Sequence, residues 1–97
     1  METVTLDHPF KRGEQEITTV TLLEPTGTGW LRGLKLIDLA SLDANALTTA
    51  LPRITEPALT EQEIRASLHP ADLLQLGAKV VDFLSPKSAR EDASPPA

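Results

Sequence analysis

Ninety-seven residues leave room for one hydrophobic core, not two. The chain is 40% hydrophobic and 24% charged, a globular composition, and has no cysteine, which excludes disulfides, thiolate zinc sites and cysteine nucleophiles. A formal net charge of -5 argues against sequence-independent nucleic-acid binding and against an anionic membrane surface.

The first stretches read as strands. Val4 and Leu6 alternate with Thr3, Thr5 and Asp7. Further on, Ile17, Thr19 and Thr21 alternate with Thr18, Val20 and Leu22. Threonine, valine and isoleucine at this density predict a β-hairpin, strands about 2–7 and 15–23. Between them His8-Pro9 and Gly13 predict a loose loop. A two-stranded hairpin is marginal alone in water and must lie on the leucine-rich remainder.

Glu24-Pro25-Thr26-Gly27-Thr28-Gly29 breaks the second strand. Thr26 or Thr28 can cap a helix running to about Leu36, with Trp30, Leu34 and Ile37 on one face. Leu36 and Leu39 fall off that stripe, so a bend or a new element is expected near Leu36–Ser41. Asp43 reads as the cap of a helix over 44–51, with Ala46, Leu47, Ala50 and Leu51 inward, and Pro52 is expected to stop it. An extended link follows through Leu59. Thr60-Glu61-Gln62-Glu63 is a capping box opening a short helix, 61–67.

Pro70 opens the last helix, 70–84. Leu73, Leu74, Leu76, Gly77, Val80, Val81, Phe83 and Leu84 fall within about half its circumference, with Asp72, Gln75, Lys79 and Asp82 opposite. A face that wide either packs across the hairpin and another helix, or is partly an association surface. From Ser85 no large apolar residue occurs, so a folded unit over 1–84 and a flexible tail over 85–97 are expected. The fold class is α+β: an N-terminal β-hairpin, three to four short α-helices and a disordered C-terminal tail. Aromatics make up only 3% (Phe10, Trp30, Phe83), and the leucine excess favours helices over a sheet sandwich.

Catalytic chemistry is not legible. His8 and His69 each precede a proline, without a partner at metal-ligand spacing, and are expected at the surface. Gly27-Thr28-Gly29 resembles a phosphate loop only superficially: Gly33 stands four residues after Gly29, and no Lys-Ser/Thr pair follows. No serine sits in a Gly-x-Ser-x-Gly turn. No enzyme activity, cofactor or metal is expected. Residues 31–54 carry a net +1 (Arg32, Lys35 and Arg53 against Asp38 and Asp43), while the segments on either side each carry -3. That contrast is either chance or a surface for an acidic partner. Trp30 beside Arg32 is either a recruitment surface or a cap on the core. No apolar run reaches the roughly 20 residues of a membrane span. Residues 1–11 lack an apolar signal core, so no secretory leader is expected.

The motifs in their order resemble a known family. Val4-Thr5-Leu6 with Pro9 resembles its opening strand, and Gly13, Ile17, Val20-Thr21-Leu22 and Pro25 its second strand and exit. Leu31-Arg32-Gly33-Leu34 is similar to its next helix, with Trp30 where a polar or acidic residue is common. Leu51-Pro52-Arg53-Ile54-Thr55-Glu56-Pro57 with Leu59 is its most recognisable block, and Leu68, Pro70-Ala71-Asp72-Leu73 and the closing helix complete it. Over about residues 3–84 the chain resembles the phage tail assembly proteins, the tail assembly chaperones of Mu-like and related contractile-tailed phages.

That resemblance implies a non-enzymatic chaperone that transiently binds the tape measure protein, helps recruit tail-tube subunits and is absent from the mature virion. The place is the host cytoplasm. Oligomeric state is open: a homo-oligomer is expected if the apolar face of helix 70–84 is partly exposed in the monomer. Many such chaperones are made in two lengths by ribosomal frameshifting, and the tail is where an extension would attach. The expected partner-binding residues are Trp30, Arg32, Leu34, Arg53, Ile54, Leu73, Val80 and Leu84. The alternative is a structural tail or baseplate component of the virion.

Overall fold

The computed structural model describes residues 2–86. Strands β1 (Glu2–Arg12) and β2 (Gln15–Leu22) form an antiparallel hairpin. Its turn uses Gly13 at φ 62°, a conformation that glycine adopts without steric penalty. β1 is longer than expected because His8-Pro9 does not end it. Thr5 pairs with Thr19 and Phe10 with Ile17, so Leu6–Pro9 bulge opposite Thr18. Pro9, lacking an N–H, is tolerated at such an interruption of the ladder. The bulge twists the ribbon, and the expected alternation in β2 fails: Ile17, Val20 and Leu22 are all buried, while Thr18 and Thr19 are exposed.

A third strand, β3 (Thr55–Glu56), pairs with Leu22 and Thr21 and extends the sheet to the order β1-β2-β3. No propensity marks two residues as a strand. Contact with β2 makes them one within the extended link.

The helix expected from Gly29 to Leu36 does not form. Gly29–Leu31 is a single 3-10 turn, with no side-chain cap bond from Thr28. Gly33 at φ 78° then breaks the path. Trp30 and Leu34 still lie half-buried on the core, but Ile37 is 70% exposed. The new element foreseen near Leu36–Ser41 is the short helix α1 (Leu36–Ala40).

Helix α2 (Ala44–Ile54) begins where expected: the Asp43 carboxylate accepts the Ala46 N–H at 2.9 Å. Pro52 does not stop it. The proline falls in the last turn, where it removes one backbone donor, and Ile54 beyond it is buried. The Thr55 hydroxyl donates to the Leu51 carbonyl at 2.8 Å and closes that end. Helix α3 (Glu61–Ala66) carries the complete Thr60–Glu63 capping box. Helix α4 spans Pro70–Leu84 as expected.

One cluster of buried side chains joins these elements: Val4, Leu6, Phe10, Ile17, Val20 and Leu22 from the hairpin, Leu39 from α1, Leu47, Leu51 and Ile54 from α2, Ile64 from α3, and Leu76 and Val80 from α4. The wide face of α4 is thus shared among β1, α1 and α2, with Leu74 outside the contact at 56% exposed. Ser85 follows, its N–H bonded to the Val81 carbonyl. Most of the expected flexible tail, residues 87–97, lies outside the described residues.

Gly77 sets the approach of α4 to its neighbours. A Cβ there would stand 2.9 Å from both Leu42 Cδ2 and Leu47 Cδ1. Leu42 itself holds the left-handed φ of 63° just after α1, a place more usual for glycine, with its side chain packed on the core. Overpacking of about 2 kcal/mol at Gly77→Ala outweighs a helix-propensity gain of about 1 kcal/mol. The expected result is a net loss of about 1 kcal/mol in urea unfolding, and a stabilised variant would contradict this packing.

Candidate functional site

Of the eight residues expected at a partner surface, four are scattered and four come together. Ile54 and Val80 are core residues, 3% and 0% exposed, so the folded chain presents neither to a partner. Their positions at apolar helix spacing looked the same as surface positions would. Leu73 and Leu84 are half-buried against the core at opposite ends of α4. Leu73 borders an open groove of about 470 Å³ with Ala44, Thr48, Ile64, Leu68 and Pro70.

Trp30, Arg32, Leu34 and Arg53 are the four that come together. Arg53 lies in the last turn of α2, and its Nη1 donates to the Trp30 and Arg32 carbonyls, each at 2.9 Å. One guanidinium therefore ties the loop around the 3-10 turn to the end of α2. Trp30 is half-buried on the core, while Arg32 and Arg53 are exposed. Trp30 thus packs on the core, as a cap would, and keeps part of its surface exposed. Past Lys35 the chain exposes Leu36 and Ile37, at 57% and 70%.

Sequence reasoning missed a polar cluster between β1 and α4. Asp72, assigned to the polar face of α4, is fully buried. Its Oδ1 accepts the Asp7 N–H at 2.8 Å and its Oδ2 the His8 N–H at 3.0 Å. The carboxylate thus satisfies two donors that the β1 bulge removes from the ladder. Gln75 Nε2 donates to the Asp7 carboxylate at 3.0 Å. The rings of His8 and His69 stack with centroids 3.7 Å apart, and His69 Nδ1 caps α4 by accepting the Ala71 N–H. Local patterns gave no sign of this cluster, whose two ends are 64 and 65 residues apart. It is a fastening between hairpin and helix. Among the described residues no group of three or more His, Asp or Glu side chains is placed to hold a metal.

At the hairpin tip Arg12 clasps Glu63 with Nε to Oε2 at 2.7 Å and Nη2 to Oε1 at 2.8 Å, and Nη2 also donates to the Ala58 carbonyl. The bond from Arg12 holds the Glu63 carboxyl below its ordinary range, against desolvation and with help from the Thr60 N–H. A carboxylate so lowered stabilises the fold above its unfolded pKa, about 4.3, and loses that contribution as pH falls through its folded value. Arg12→Gln should therefore flatten the loss of stability in acid below about pH 4.3. Urea midpoints between neutral pH and pH 3 read the effect, and parallel curves for variant and wild type would contradict it.

The glycine-rich stretch is no phosphate loop, because Gly29 opens one 3-10 turn and no helix. Among the described residues no helix is long and apolar enough to cross a membrane.

Comparison with known proteins agrees with the family resemblance. Residues 3–85 match the family of phage tail assembly chaperone proteins, E, or 41 or 14. The chain is 52% identical over 87 residues to tail assembly protein E of Escherichia phage P2, covering 90% of this chain and 93% of that protein. It is also 52% identical over 81 residues to tail assembly protein E' of the same phage, covering 84% of this chain and 56% of the longer relative. No solved structure matches the chain. The chain belongs to the phage tail assembly chaperone family, and its role lies in phage tail assembly.

Proposed function

We propose that the chain is a non-enzymatic chaperone that transiently covers the tape measure protein in the host cytoplasm, helps bring tail-tube subunits to it, and leaves before the particle is complete. Family membership across residues 3–85 is the observation that carries this reading. The surface fits the task. A tape measure segment is a long amphipathic helix whose apolar stripe needs temporary cover. Leu36, Ile37 and Leu74 present apolar area without fixed polar demands. The net charge of -5 keeps such a complex soluble.

Co-expression with the tape measure gene tests the reading. The expected result is more soluble tape measure protein and a complex that survives purification. Unchanged solubility with no complex would overturn it.

A further inference from the structure

The loop that Arg53 ties down concentrates positive charge in an acidic protein. Arg32, Lys35 and Arg53 are all exposed. The ion pairs of the described residues are Arg12–Glu63 and Lys79–Glu2, so none of these three cations has a carboxylate partner. Arg53 spends one donor nitrogen on the Trp30 and Arg32 carbonyls, which brings its charge to the base of the Arg32 loop. The side chains of Arg32 and Lys35 make no hydrogen bond within the described fold, so neither is needed to hold it.

Apolar side chains neighbour the cations along the chain. Leu36 and Ile37 follow Lys35 directly, at 57% and 70% exposed, and Trp30 is half-buried beside Arg32. The loop is ordered in advance by the Arg53 bonds, by the Leu34 N–H to the Leu31 carbonyl, and by Trp30, Leu31 and Leu34 on the core. A pre-ordered loop loses little entropy on binding. Tryptophan and arginine are also the side chains most enriched at energetic centres of interfaces.

We propose that Trp30, Arg32, Lys35, Leu36, Ile37 and Arg53 form the docking surface for an amphipathic helix of a partner protein that carries acidic residues beside its apolar stripe. The cations pair with the partner's carboxylates and set its direction, while Leu36 and Ile37 cover its stripe. The rest of the chain is net negative and repels an acidic segment, so the patch fixes where the partner lies. The identity of the partner rests on the chaperone reading, but the chemistry of the surface does not.

A designed helical peptide with leucines on one face and flanking glutamates serves as probe, beside the same peptide with lysines for glutamates. Titration followed by backbone and indole N–H resonances is expected to move Trp30, Arg32, Gly33 and Ile37. The glutamate peptide should bind about tenfold more tightly than the lysine peptide, and added salt should erase the preference. Arg32→Glu with Lys35→Glu should reverse the preference without shifting the thermal midpoint. Equal affinities, or shifts centred elsewhere, would overturn the proposal. An equal response to a short single-stranded DNA would overturn the assignment to a protein partner. In co-expression, the double variant should lose the tape measure complex that the wild type forms, and undiminished capture would place the docking surface elsewhere. Failure of the wild type itself to form that complex counts against the chaperone reading, and the peptide titration still decides the patch.

Discussion

Val80→Asp is expected to unfold the protein. Val80 is fully buried on α4 and belongs to the single core cluster. The substitution removes a buried side chain, a loss of about 2 kcal/mol, and puts a carboxylate where no partner is available, which costs several kcal/mol more. A domain this small has about 5–10 kcal/mol of stability in total. Leu74→Asp is the control, the same chemistry on the same helix at a side chain that is 56% exposed. Its expected effect is within about 0.5 kcal/mol. Circular dichroism melts separate the pair. A well-folded, soluble Val80→Asp monomer would mean that α4 packs on the core by another face.

Asp72→Ala is expected to cost about 3–5 kcal/mol. Each bond from a backbone N–H to a carboxylate contributes about 1.5–3 kcal/mol, and the alanine leaves both the Asp7 and His8 donors without it. Asp72→Asn keeps one acceptor oxygen but turns an NH2 group toward the other donor, so about 2 kcal/mol is expected. Urea unfolding gives the totals, and hydrogen exchange localises them. The Asp7 and His8 amides should exchange slowly in the wild type and fast in Asp72→Ala. An alanine variant within about 0.5 kcal/mol of wild type, or amides that stay protected, would show that the bulge is held by something other than this carboxylate.

The two expectations mark where the sequence was readable. The Asp43 cap, the Thr60–Glu63 box and the bounds of α4 were legible because each depends on residues within one turn of one another. Asp72 was not. Its helical wheel places it just off the apolar stripe, and its burial depends on a bulge more than sixty residues earlier that periodicity cannot reveal. The helix expected at Trp30 failed for another reason. A wheel over Trp30, Leu34 and Ile37 counts apolar positions and takes no account of Gly33 adopting a left-handed φ. Pro52 was overweighted, since a proline in the last turn removes one donor at a place where the helix was ending anyway.

The proposed docking surface was half legible. Trp30 beside Arg32 stood out in the sequence, and the charge of residues 31–54 set that segment apart. That Arg53 folds back onto both carbonyls needed the fold, because it joins residues more than twenty positions apart. Ile54 and Val80 entered the expected surface because apolar residues at helix spacing carry no mark of whether another element covers them.

Mass spectrometry of tail assembly intermediates and of purified virions tests the central proposal most directly. A transient chaperone predicts this chain in intermediates that contain tape measure protein and its absence from finished particles. Stoichiometric copies in the virion would contradict it and make the chain a structural part of the tail.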